Sequence, residues 1–318
     1  MNLLKTTAFA AFVVAGVGLA GTAIAQDKTY TIGVSVPTAD HGWTGGVDFF
    51  AQQAVDRLGK AYPNLKFVLA TAPDSTKQAA DLEDMVTTRN IDALVILPGD
   101  PDAMTASIKK VKDAGKWVTI VDRQLSQPGI PDLYVAGDNP GLGATTAAYF
   151  KQAMPNGGNI VVLRGLPIPI DKQRVDAFMD GIKDTKIKVL DSQFANWNRD
   201  DGYKVMQDML TKYNNIDAVW CQDDDTLVGV LKALKEAGND KIWAVGGAGM
   251  NQIVKMVAAG STQVPVDVSY NPNMVATAID LTALHFAVGN QVDGTFIINS
   301  TLITKDNAKD FDYPNTPF

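Results

Sequence analysis

The sequence predicts an α/β protein made of two similar open parallel-sheet α/β domains. Three observations carry this prediction. Short β-branched runs alternate with longer stretches whose apolar residues recur every three or four positions. The runs are continuously apolar, as strands are when helices cover both faces of their sheet. The alternation then restarts after Gly137-Asp138-Asn139, which gives two successive sets of βα units.

In the first set, strands are expected over 31–36, 67–71, 93–97, 117–121 and 134–136. A helix follows the first strand, with Val47, Phe50, Ala51, Ala54, Val55 and Leu58 on one face. Further helices fall over 78–88, where Leu82, Met85 and Val86 share a face, and over 103–114. The second set reads as helix 142–152, strand 160–163, helix 172–183, strand 189–193, helix 201–213, strand 218–221 and helix 227–237. Strand 242–245, helix 253–258, strand 266–269 and a long helix over 274–288 complete it. No charge block or Pro/Ser-rich linker separates the two sets, so a tight join is expected between them.

Residues 1–25 read as an export signal. Lys5 is their only charge, an apolar stretch over 8–20 is too short to span a bilayer, and Ala23-Ile24-Ala25 is a small-x-small cleavage site. Cleavage after Ala25 places the mature chain in the periplasm, and no Cys follows the site to take a lipid anchor. What remains is long enough for two domains. The net charge is −7 with no basic cluster, which argues against nucleic acid and anionic membrane surfaces as partners. Cys221 is the only cysteine, so no intrachain disulfide forms. It sits in the apolar run Ala218-Val219-Trp220-Cys221 and reads as a buried, inert thiol.

Open α/β sheets bind ligands beyond the carboxyl ends of their strands. Asp40, His41 and Trp43 follow the first strand here, and Asp122, Arg123 and Gln124 follow the fourth. In the second half, Arg174 lies near a helix start, and Asn196-Trp197-Asn198, Asp223-Asp224-Asp225, Gly246-Gly247-Ala248-Gly249 and Tyr270-Asn271 follow strands. Carboxylates, guanidiniums, amides and aromatic rings suit a neutral polyhydroxylated ligand: the polar groups bond hydroxyls and a ring covers an apolar C–H face. Singly, each has a plainer reading. Trp43 or Trp197 could be packing, Asp40 a helix cap, and Asp223–Asp225 a turn capping the next helix. A metal site is disfavoured at Asp223–Asp225, because three consecutive residues cannot converge on one ion.

No nucleophile elbow, P-loop, H-E-x-x-H or paired C-x-x-C occurs, and His285 lies in an apolar helix. The 246–249 glycine run lacks the third glycine of a dinucleotide loop. The sequence therefore predicts no catalytic residue, no metal, no cofactor and no enzymatic activity.

Three stretches carry a family resemblance: Ile120-Val121-Asp122-Arg123-Gln124, Trp197 through Val205-Met206-Gln207, and Ala218-Val219-Trp220-Cys221-Gln222-Asp223-Asp224. Over about residues 28 to 305 the chain resembles the periplasmic sugar-binding proteins of ABC importers, the ribose-binding type with the type I periplasmic binding fold. The resemblance implies a ligand cleft between the domains and a three-strand hinge near Gly137-Asp138, Tyr270-Asn271 and Asn299-Ser300. The lobes would then be 26–137 plus 271–298 and 138–270 plus 299–318.

The resemblance puts the polar pair and aromatic of the first loop on Asp40, His41 and Trp43. It puts the hydroxyl-gripping pair on Asp122 and Arg123, and the second Arg on Arg174, with Lys172 a competitor. The second aromatic falls on Trp197, the position after the next strand on Asp223, and the last crossing on Tyr270 with Asn271 beside it. Trp43 and Trp197 would then stack on opposite faces of a sugar. Two positions depart from the pattern. Ala248 stands where ribose-binding proteins carry Asp, with Asn251 a candidate replacement, and Thr44 replaces an aromatic.

The function expected from this is capture of a small sugar or polyol of the pentose or hexose class by hinge closure, and delivery to an ABC transporter permease. The protein would act as a monomer. Two alternatives stay open: a sensor that presents its closed form to a chemoreceptor or histidine kinase, and a secreted sugar-active enzyme with Asp40 and Asp223 as paired carboxylates.

Overall fold

The structure, a computed structural model, describes residues 28–313 and 315–318. The expected signal over residues 1–25 lies outside the described residues. The first half contributes β1 (Tyr30–Pro37), α1 (Gly42–Ala61), β2 (Leu65–Ala72), α2 (Ser75–Thr87), β3 (Ala93–Ile96), α3 (Pro101–Asp113), β4 (Trp117–Val121) and β5 (Leu133–Gly137). Then come α4 (Asn139–Ala153), β6 (Gly158–Arg164), α5 (Pro169–Ile182), β7 (Ile187–Phe194), α6 (Arg199–Lys212) and β8 (Ala218–Cys221). The chain continues through α7 (Asp224–Glu236), β9 (Trp243–Val245), α8 (Asn251–Ala258), β10 (Asp267–Val268), α9 (Met274–Val288), β11 (Gly294–Ile298) and β12 (Leu302–Ile303).

Two parallel sheets form the lobes. The first has the order β11-β5-β4-β3-β1-β2 and the second β7-β6-β8-β9. The inner strands β3 and β8 are fully buried, which explains their unbroken apolar sequences. The edge strand β11 is largely exposed, although its sequence is Gly-Thr-Phe-Ile-Ile. The sequence reading missed β11 and β12. Of the strand expected over 266–269, only β10 forms, and it pairs antiparallel with β12 rather than joining a parallel sheet. A single parallel bridge, Ala248 to Ser269, links this pair to the end of the second sheet.

The chain passes between sheets three times: after β5, before α9, and after β11. Asp138 N donates to Ile298 O at 2.9 Å and Ser300 Oγ to Asp138 O at 3.1 Å, so two of the crossings are tied side by side. α9 returns to pack on α1, β4 and β5 of the first lobe.

Local chemistry sets the helix starts that face the cleft. Asp100 accepts from Asp102 N and Ala103 N with Pro101 in the first turn of α3, and Asp223 accepts from Asp225 N and Thr226 N at the start of α7. The core runs through both lobes. Trp220 of β8 stacks on Phe178 of α5 at 4.1 Å. His285 stacks on Trp117 at 4.0 Å, the structural role its apolar helix suggested. Among the described residues no helix is long and apolar enough to cross a membrane.

Candidate functional site: a cavity between the lobes

A narrow cavity of about 20 Å³ lies between the lobes, lined by His41, Trp43, Asp122, Arg123, Ile170, Arg174, Trp197, Asp223, Gly247 and Tyr270. These residues follow β1, β4, β6, β7, β8, β9 and β10, so the carboxyl ends of strands in both lobes converge on one space.

On the first-lobe side, Trp43 sits in the opening turn of α1 and its Nε1 donates to Tyr270 O at 2.9 Å. Asp122 adopts φ +59, a left-handed conformation uncommon outside glycine. The surroundings hold it there. Its backbone N donates to Val135 O at 2.8 Å, its carbonyl accepts from Tyr134 Oη at 2.7 Å, and its carboxylate accepts from the Tyr270 hydroxyl. Arg123 is buried and donates from Nη1 to Pro98 O at 3.2 Å and Gly99 O at 2.5 Å. Burial lowers its pKa and the Asp122 charge opposes that shift. Among the described residues its buried Nε has no acceptor.

On the second-lobe side, Arg174 of α5 is held by donation from Nε to Asn139 Oδ1 at 2.7 Å and from Nη1 to Gln222 O at 3.0 Å. Its guanidinium lies 4.3 Å over the Tyr270 ring and 5.3 Å over Trp197. Trp197 and Asn196 both have positive φ, +52 and +55, which turns the indole back over Gly165. A Cβ at Gly165 would overlap that ring, so the glycine makes the close approach possible. Asp171 fixes this loop. It is buried, pairs with Arg164 and accepts from Gly165 N at 3.1 Å.

Asp223 is buried and caps α7 with one oxygen. Burial pushes its pKa up to about 7; nearby His41 works against the rise, and Asp225 and Asp224 add to it. Asp225 joins the lobes directly. It accepts from Gly42 N of α1 and from Arg199 Nη2, the latter at 2.7 Å. The lobes thus meet at the rim with the cavity closed beneath them.

Eight of the ten residues expected at the site line this cavity, and Asp40 and Asn271 do not. Asp40 is exposed. Its carboxylate accepts from His41 Nδ1 at 2.5 Å and Thr44 Oγ1 at 2.8 Å, and the His41 bond holds its pKa down at about 2. Asn271 accepts from Asn273 N at 2.8 Å and lines a separate groove with Met274 and Phe311. Ile170 and Gly247 line the cavity without having been expected. An isoleucine and a glycine carry no chemical signature of a site, and only their position after β6 and β9 marks them. Asn251 does not replace a hydroxyl partner at the Ala248 position, because its Nδ2 donates to Tyr313 O and Thr316 O instead.

Trp43 lies 6.2 Å from the Tyr270 ring, tilted by 37°, and Arg174 connects Tyr270 to Trp197. Among the described residues no cluster of three His, Cys, Asp or Glu is placed to hold a metal ion. Cys221 is buried and its thiol pKa is raised by that burial, so it offers no nucleophile at neutral pH. Two acids, Asp122 and Asp223, stand against two guanidiniums, Arg123 and Arg174. The cavity is polar without a strong net charge, and it presents both donors and acceptors.

The sequence pattern of the periplasmic binding protein domain matches residues 32–290. The ribose import binding protein of Escherichia coli (strain K12) is 27% identical over 306 residues, covering 96% of this chain and 100% of that protein. The xylitol-binding protein of Mycolicibacterium smegmatis is 28% identical, covering 97% of this chain and 88% of that one. An ABC transporter solute-binding protein from Bacillus halodurans C-125, solved with bound myo-inositol, has a TM-score of 0.81 at 24% identity, over 91% of this chain and 99% of that one. A solute-binding protein from Mycobacterium smegmatis with bound glycerol gives a TM-score of 0.81 at 25% identity, over 91% and 98%.

Proposed function

Because the chain belongs to the periplasmic binding protein domain family, we propose that it captures a small sugar or polyol between its lobes and delivers it to an ABC transporter permease. The observation that supports this reading best is the donor and acceptor set of the cavity. Asp122 and Asp223 accept from hydroxyls, the Arg123 and Arg174 guanidiniums donate, and Trp43 and Trp197 shield the C–H surface. The opposed charges offset one another, which favours a neutral ligand over an ion. Relatives whose names record ribose and xylitol binding point to the same class.

Capture proceeds by hinge closure. The moving bodies are residues 26–137 with 271–298 and residues 138–270 with 299–318, pivoting where the chain passes between the sheets. A ligand that bridges both lobes binds the closed form more tightly than the open one, and that difference shifts the population. The permease then reads the closed rim, in the periplasm, where the amino-terminal export signal sends the chain.

A thermal-shift screen against pentoses, hexoses, amino sugars and polyols tests this. A ligand at 100 times its Kd adds about 2.7 kcal/mol of stability. Stabilisation by one such class, abolished in Arg123→Ala, is the expected result. A flat response across all of them overturns the reading.

A further inference from the structure

Residues 311–313 leave the second lobe, and residues 315–318 finish against the first. They follow a short 3-10 turn, Ala308–Asp310, that packs on α8. Asn251, the first residue of α8, grips the segment: its Nδ2 donates to Tyr313 O at 2.8 Å and Thr316 O at 2.6 Å, and its backbone N donates to Pro317 O at 3.2 Å. Phe318 then buries its ring, 1% exposed, on α1 of the first lobe. Gly46 makes room for it, because a Cβ there would stand 2.8 Å from Phe318 Cδ2 and 2.6 Å from Pro272 Cγ. Phe50 of α1 and Met274 of α9 line the groove around it.

On the hinge-closure reading, we propose that the segment carrying Tyr313, Thr316, Pro317 and Phe318 is a clasp across the hinge that biases the protein toward its closed form. The segment is anchored in one lobe by Asn251, whose side chain and backbone N donate to its carbonyls, and in the other by a buried aromatic ring. Its two anchors sit on elements that bear opposite walls of the cavity. α1 carries Trp43 in its first turn, and α8 begins four residues after Gly247. Rotation of one lobe away from the other must either withdraw Phe318 from α1 and expose it, or break the bonds to Asn251. Both losses fall on the open form alone, so the clasp raises the fraction of molecules that are closed, and with it the apparent affinity for whatever the closed form binds.

The test needs no ligand. Spin labels at Lys110→Cys on α3 and Lys235→Cys on α7, both exposed, report the separation of the lobes in the ligand-free protein, since native Cys221 is buried and unreactive. Phe318→Ala and Asn251→Ala are each expected to shift the distance distribution toward longer separations. Combined, they should shift it no further than the larger single change, because each releases the same clasp. Neither residue lines the cavity. Distributions that superimpose on the parent's in folded variants overturn the proposal. Should Phe318→Ala lose its cooperative melt, Asn251→Ala decides alone, because it removes the side-chain grip and leaves the buried ring in place.

Discussion

The Tyr270 hydroxyl donates to the carboxylate of Asp122, joining the crossing before α9 to the left-handed turn after β4. That bond sits in a longer chain of contacts. The Trp43 indole donates to the backbone of Tyr270, and Arg174 covers the Tyr270 ring before it reaches Trp197. One wall of the cavity is therefore continuous from the first lobe, through the hinge, to the second. A ligand that engages any member of this wall is coupled to the segment about which, on the proposed mechanism, the lobes rotate.

Tyr270→Phe keeps the ring and removes the donor. Asp122 is 1% exposed and would lose its side-chain partner in a dry site. Stability of the ligand-free protein is expected to fall by about 1–3 kcal/mol, read from denaturant unfolding. An unchanged midpoint would show that Asp122 finds another donor and that the hinge does not depend on this bond.

Gly165→Ala tests the indole platform. The added methyl overlaps Trp197, whose backbone is already held in a left-handed turn and whose ring has nowhere to retreat inside the loop pinned by Asp171. Ligand-induced stabilisation should be lost while the far-ultraviolet circular dichroism stays that of the parent. Retention of the full thermal shift would mean that Trp197 in its present position is not needed for binding.

The sheets and the helices between them were legible in the sequence because buried parallel strands are apolar throughout and their helices carry one apolar face. Short pairings that depend on distant partners were not. β11 lies exposed at an edge, and two-residue β10 exists only because β12 comes back to meet it. At the site, residues with distinctive chemistry at strand ends were readable, such as Asp122, Arg123 and Trp197. Asp40 stands outside the cavity because its carboxylate serves its own loop through His41 and Thr44. Asp225 looked like part of a solvated turn, and only the approach of α1 from the other lobe makes it a bridge.

Arg174 donates in two directions from one planar group while its face rests on Tyr270. Lysine can supply the charge but neither the fork nor the flat face. Arg174→Lys is therefore expected to weaken binding nearly as much as Arg174→Ala, by about 2–5 kcal/mol in titration calorimetry with the best-binding sugar or polyol. Near-parent affinity in the lysine variant would reduce the role of Arg174 to a positive charge.

Three buried carboxyl groups give the protein a pH dependence of a definite sign. Burial raises Asp223 and Asp267 each to about 7, and burial beside Asp267 raises Asp224. The bonds that Asp224 accepts from Gly247 N and Met250 N, and Asp267 from Gly249 N, favour the charged forms, but burial and the neighbouring acid charges outweigh them, and among the described residues the buried Asp267 Oδ1 has no donor. In the unfolded chain an aspartate titrates at about 3.9, so between there and neutral pH the folded protein binds more protons than the unfolded one. Stability then decreases as pH rises through 7. Asp40 and Asp191, held down at about 2, act in the opposite sense but only under more acid conditions. Urea unfolding of the ligand-free protein should accordingly show a higher midpoint at pH 5.5 than at pH 8. Asp267→Asn should flatten that slope, because its amide oxygen can still accept from Gly249 N while its NH₂ supplies permanently the hydrogen that the carboxyl holds only when protonated. A midpoint that climbs with pH would instead mean that these carboxylates are ionised and stabilised in the fold.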